Sequence, residues 1–302
     1  MSRLISLSLA VLMYLSLTGC SALTNSSDTY WQAPPMAIPL QPTLELEAQL
    51  VRIDQILAKP DLNDDIRAQL YFRRGLVYDN LGLRDIARVD YEASLNLMPA
   101  QPEVYNQLGV YFTQSGEYDM AYQAFSSALE LDQSHDFALR NRGIAFYYGK
   151  RYQLAEKDLL SHYENNPNDP YRILWLYLNE MESQPEQAKA NLESRYQAAK
   201  KEGWGWYMVE IYRQKQSDDA IIKGLISTAP DNRALAERLC EAYFYLGKRY
   251  LHEGKTQAAF DLFKLAMAAN VQDFVEHRYA LLELEGILQT QMNQANAHET
   301  AK

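Results

Sequence analysis

The sequence predicts an all-α fold, a solenoid of helix-turn-helix repeats with a divergent middle and capping helices. Three observations carry this. Gly75, Gly109 and Gly143 stand 34 residues apart. Around Gly109, large and small residues keep a fixed register: Tyr105, Leu108, Phe112, Gly116, Ala121, Phe125 and Ala128. No stretch alternates β-branched and polar residues as a strand would, and the chain is rich in Tyr (22) and poor in Gly (13) and Pro (11). A period of this length marks hairpins that bury their apolar faces only on their neighbours.

The elements follow in order. Met1 to Leu17 has one basic residue, Arg3, then an apolar run from Leu4. That is the length of a secretory signal and short for a membrane span. The run ends in Leu17-Thr18-Gly19-Cys20, which resembles a bacterial lipobox. The resemblance implies a signal peptide at 1–19, cut before a lipidated Cys20. Its acyl chains would anchor the chain to the membrane, since stable anchoring needs more than one lipid. Ser21 follows where an inner-membrane lipoprotein would carry Asp. The implied location is therefore the periplasmic face of the outer membrane of a Gram-negative bacterium.

Residues 20–42 read as a tether, with Pro34, Pro35, Pro39 and Pro42 giving a semi-stiff spacer. At 43–60, Thr43 caps a helix whose Leu44, Leu46, Leu50, Ile53 and Leu57 form an apolar stripe. Lacking a hairpin partner, this helix either caps the array or packs on a second subunit, with Leu46, Leu50 and Ile53 as dimer contacts. Residues 68–169 hold three repeats. The first aligns Tyr71, Tyr78, Gly82, Ala87, Tyr91 and Pro99 on Gly75; the third aligns Leu139, Phe146, Ala155, Leu159 and Pro167 on Gly143. Residues 170–232 read as divergent hairpins of the same solenoid. A fourth repeat at 240–273 centres on Gly247, with Tyr243, Tyr250, Gly254, Ala259, Phe263 and Ala266. A capping helix follows at 274–290, then a polar tail at 291–302 that is expected to fray. Register and spacing together match the tetratricopeptide repeat.

Charge and motifs narrow the function. The net charge is −10, and −10 − 1 = −11 once a segment containing Arg3 is removed. With no Lys/Arg stripe, nucleic acid is a poor partner. There is no nucleophile elbow, phosphate loop or HExxH, so no enzyme, metal or cofactor is expected. His252-Glu253 is followed by Gly254, and the five histidines are scattered. With Cys20 lipidated, Cys240 would be unpaired, and its helical neighbours suggest a buried small hydrophobe. Trp204 and Trp206 read as a buried turn between hairpins rather than a sugar platform.

In such repeats the first helix of each hairpin lines a concave groove. The groove positions here include Phe72, Leu76, Asn80, Asn106, Val110, Thr113, Arg140, Ile144, Tyr147, Tyr148, Phe244 and Lys248. They could hold an extended or helical peptide, although several apolar members could instead be buried on neighbouring helices. A carboxylate clamp needs Lys and Asn where this chain has Phe72 and Leu76, so a clamp for a chaperone C-terminus is disfavoured.

Several segments outside the repeat consensus carry a more specific resemblance: the lipobox, Ile38-Pro39-Leu40-Gln41-Pro42, Asn168-Asp169-Pro170, Trp204-Gly205-Trp206 and Phe274 to Leu284. Together these resemble the NlpI family of outer-membrane lipoproteins. The resemblance implies a homodimeric, non-enzymatic adaptor facing the periplasm. It would bring peptidoglycan hydrolases, notably a murein endopeptidase, to a carboxyl-terminal processing protease, and scaffold cell-wall and cell-division complexes. The alternative is a structural assembly lipoprotein, such as a secretin pilotin or an outer-membrane assembly factor.

Overall fold

In a computed structural model that describes residues 33–300, every regular element is an α-helix. The fourteen described helices are α1 (Leu44–Leu57), α2 (Asp64–Asn80), α3 (Arg84–Leu97), α4 (Pro102–Gln114), α5 (Tyr118–Leu131), α6 (Asp136–Tyr148), α7 (Tyr152–Asn165), α8 (Pro170–Ser183), α9 (Pro185–Ala198), α10 (Trp206–Arg213), α11 (Asp218–Ser227), α12 (Asn232–His252), α13 (Thr256–Ala268) and α14 (Val275–Thr300). From α2 to α13 they pair as hairpins, and α1 and α14 stand outside the pairs. All fourteen belong to one unit that begins at Met36. The expected signal peptide and lipidated Cys20 lie outside the described residues.

Side-chain chemistry fixes the helix starts. Asn63, Asp169, Ser217 and Asp231 each accept a backbone N–H from the first turn of α2, α8, α11 and α12, satisfying donors that a helix leaves unpaired. Pro102, Pro170 and Pro185 occupy first positions, where the missing N–H costs nothing.

Within the hairpins the 34-residue register sets the spacing. A Cβ on Gly109 would stand 2.5 Å from the Phe125 ring, so only glycine lets α4 and α5 approach this closely. The hairpin turn needs a left-handed residue. Gly82 and Gly116 supply it with φ +79° and +71°. In the third repeat Lys150 takes the same conformation at φ 58°, a strained choice for a side-chain-bearing residue.

Three expectations are corrected. Residues 37–42 are not a free tether, because Ala37 is buried and the backbone beyond it is pinned down. Asn232 accepts the Ile38 N–H (2.8 Å) and donates to its carbonyl (2.9 Å). The Leu40 N–H donates to the Ala269 carbonyl (3.0 Å), and Asn270 donates to the Leu40 carbonyl (2.7 Å). Second, Leu46, Leu50 and Ile53 turn inward onto α2, packing with Leu70, Val77 and Leu81. Leu46, Leu50, Ile53 and Leu57 of the stripe thus pack within the chain and α1 caps the array, while Leu44 of the stripe and Val51 are its exposed large apolar residues. Third, α14 continues to Thr300 where a frayed tail is expected from Gln291.

The largest difference lies on the concave side. The solenoid folds back, and α14 lies against α4. Arg278 of α14 pairs with Asp79 of α2 at 2.8 Å. Tyr148 of α6 donates to Glu283 of α14 at 2.9 Å. Trp175, Phe244 and Tyr279 meet in an aromatic cluster joining α8, α12 and α14. The final helices thus occupy much of the space the repeats enclose.

Candidate protein-binding surfaces

The fold-back decides which groove residues a partner can reach. Thr113, Ile144 and Phe244 have no exposed surface. Thr113 spends its hydroxyl on the Gly109 carbonyl one turn earlier, and Phe244 stacks among Trp175, Tyr245 and Phe263. Asn106 and Val110 are also buried, with Asn106 accepting from Asn141 at 3.0 Å. Phe72 and Leu76 are half-buried against Val104 and Leu108. Asn80 is exposed beside the 37–42 strap. As expected for the apolar members, most of these side chains pack on their own chain.

Lys248 and Tyr147 form the centre of this closure. The Lys248 ammonium donates to Glu283 at 2.5 Å and to the Tyr147 hydroxyl at 2.8 Å, and sits over both the Tyr147 and Tyr148 rings. Burial alone would lower its pKa, but Glu283 and the Tyr147 hydroxyl together outweigh burial and hold the ammonium charged. Burial likewise pushes the hydroxyls of Tyr147 and Tyr148 up, so both stay neutral. This network joins α6, α12 and α14, and its role is structural.

Among the openings that remain are two lined by both aromatic and acidic side chains. A groove of about 610 Å³ runs between Tyr118 and Tyr148 on one side and the outer half of α14 on the other, from Leu282 to Gln294. A smaller cleft of about 260 Å³ is lined by Phe137, Arg140, Tyr171, Trp175, Glu241, Glu276 and neighbouring polar residues. Of the groove residues named from sequence, Tyr148 reaches the first opening and Arg140 the second. Glu241 and Glu276 were missed as a pair. They lie 35 positions apart on different helices, so no repeat spacing relates them.

Among the described residues no group of three or more His, Cys, Asp or Glu could hold a metal ion, and no helix is long and apolar enough to cross a membrane. Cys240 is buried in α12, where burial pushes its thiol well up and away from reactivity. Trp206 is buried, its ring edge-on to Tyr196, and Trp204 lies under the Arg238 guanidinium.

Residues 68–101 and 102–135 match the tetratricopeptide repeat model. Among solved structures, one similar chain is a tetratricopeptide repeat protein from Parabacteroides merdae. It is 16% identical with a TM-score of 0.49, over 80% of this chain and 91% of that one. Another is the C-terminal part of a repeat protein from Cytophaga hutchinsonii, 17% identical with a TM-score of 0.42, over 78% and 81% of the two chains. A third, YrrB, described as having an unusual peptide-binding site, is 14% identical with a TM-score of 0.41, over 78% and 98%. Residues 68–135 thus carry two tetratricopeptide repeats, units that serve as protein-interaction scaffolds.

Proposed function

We propose that this protein is a non-enzymatic lipoprotein adaptor on the periplasmic face of the outer membrane. It holds a peptidoglycan hydrolase, such as a murein endopeptidase, beside a carboxyl-terminal processing protease so that the hydrolase is degraded. It also scaffolds cell-wall and cell-division assemblies. The reading is carried by one observation: the lipobox at Leu17 to Cys20 stands on the same chain as the NlpI-like segments outside the repeat consensus. The fold is compatible, since the groove along α14 and the aromatic-walled cleft leave surface for two partners at once.

The test reconstitutes three purified components. The protease alone should cut the endopeptidase slowly. Adding this protein should speed the cleavage at least tenfold, while the protein alone cleaves nothing. Equal rates with and without it would refute the adaptor role. In cells, Cys20→Ala should move the protein from membrane to soluble fractions, and unchanged membrane association would refute lipidation at that residue.

A further inference from the structure

The 260 Å³ cleft lies between α6, α8, α12 and the start of α14. Glu241 and Glu276 line it, and each is only 5% exposed. One oxygen of each carboxylate is taken. Glu241 accepts from the Tyr171 hydroxyl, and Glu276 accepts from the Tyr245 hydroxyl at 2.9 Å. Glu276 also accepts from its own backbone N–H.

The cations nearby make their direct contacts elsewhere, although the Arg140 charge acts on Glu276 from a distance. Arg172 pairs with Asp136 and, at 3.5 Å, with Asp169. Arg140 donates to Asn141 and lies 5.2 Å over the Phe137 ring. His162 is buried and held neutral, its pKa lowered to about 4 by burial and by Arg172. Across the lining, Asp136, Asp169, Glu241, Asp273 and Glu276 outnumber Arg140 and Arg172. Buried carboxylates without a directly paired cation are costly. Burial raises the pKa of both, and for Glu241 the charge on Glu276 adds to it. A cation arriving in the cleft would relieve that cost.

The walls suit a long side chain with a charged end. Tyr171, Trp175, Phe137 and Phe274 line the cleft with aromatic groups, against which methylenes pack and beside which a cation is attracted. Outside, Phe137 is 60% exposed beside the Arg140 guanidinium. Aromatic residues and arginine are the side chains enriched where proteins meet.

We propose that this cleft receives a lysine or arginine side chain presented by a partner protein, its charged end completing the Glu241–Glu276 pair. The proposal rests on the scaffold reading above and adds the chemistry of one contact.

The full chain is titrated by calorimetry with N-acetyl-lysine amide and N-acetyl-arginine amide, and with N-acetyl-norleucine amide as the uncharged control. The basic probes should bind at least tenfold more tightly than norleucine amide. Glu241→Gln/Glu276→Gln should weaken the basic probes at least tenfold; each Gln carbonyl still accepts from Tyr171 or Tyr245, so the fold is kept. Phe137→Ala, at the exposed mouth, should weaken them about threefold without touching the core. Norleucine amide binding as tightly as the basic probes, no binding of basic probes to the native chain, or unchanged binding in both variants would overturn the proposal. A chain that ignores the probes yet speeds proteolysis removes only the cleft proposal. One that binds them but leaves proteolysis unchanged removes only the adaptor reading.

Discussion

Replacing Lys248 with Met tests whether the fold-back is structural. Lys248 and Glu283 side chains are each 8% exposed and 2.5 Å apart. Removing the ammonium leaves Glu283 with only the Tyr148 hydroxyl, and leaves the Tyr147 hydroxyl without its donor. Breaking a buried pair from one side costs about 3–5 kcal/mol, because the remaining charge is stranded. For a chain of this size each kcal/mol lowers the melting temperature by about 2–4 °C, so Lys248→Met should melt about 6–20 °C lower. Lys248→Met/Glu283→Gln removes the stranded charge and keeps an acceptor for Tyr148. It should recover about 2 kcal/mol relative to the sum of the single variants. Urea titration followed by circular dichroism measures both, and thermal melts give the temperature shift. A single variant within about 1 kcal/mol of the native chain, or a double variant equal to the sum of the singles, would refute the argument. A Lys248 that served only to meet a partner would leave stability unchanged.

Other perturbations follow from the same structure. His162 and His277 are buried and held to pKa values of about 4, chiefly by burial. Their unfolded forms protonate near 6.5, so the stability they contribute is complete above that pH and lost as pH falls toward 4. The loss is roughly 3 kcal/mol per histidine; His162→Gln should flatten the decline between pH 6.5 and 4 in urea titrations, and an unaltered slope would count against it. Gly109→Ala gains about 1 kcal/mol of helix propensity but overpacks Phe125 by about 1–3 kcal/mol. Phe125 is fully buried and cannot yield, so a net loss near 1 kcal/mol is expected by chemical denaturation, and a stabilised variant would contradict this packing. Asn232→Ala removes both hydrogen bonds to Ile38, worth about 1–3 kcal/mol together. Amide exchange at Ile38 and Leu40 should accelerate with little change in the core, and unchanged protection would show that the strap is held otherwise.

The hairpins were legible because their code is local. Gly109 and Phe125, or Gly75 and Tyr91, stand 16 residues apart and meet within one hairpin, so a fixed spacing exposes them. The left-handed turn at Lys150 was less legible. There the third repeat departs from the glycine of the first two, and only the closed hairpin forces the conformation. The candidate cleft was hardly legible at all. Glu241 and Glu276 reach one another across a helix, a hairpin and a turn, and no spacing rule relates them.

The sequence by itself determined the helices, their pairing and the 34-residue register, since helix caps, glycines and apolar periodicity act over a few residues to one hairpin. It also supplied the resemblance of Leu17 to Cys20 to a lipobox, a segment outside the described residues. Tertiary structure alone decided that the groove is largely filled by its own chain. The Asp79–Arg278 and Tyr148–Glu283 contacts span 199 and 135 positions, and Lys248 meets Tyr147 across 101. Such contacts depend on the accumulated superhelical turn of all the hairpins between them. A small rotation at each repeat sums into the fold-back, and that sum is not written at any one position. It turned Thr113, Ile144 and Phe244 from binding surface into core, and left the cleft at Glu241 and Glu276 open.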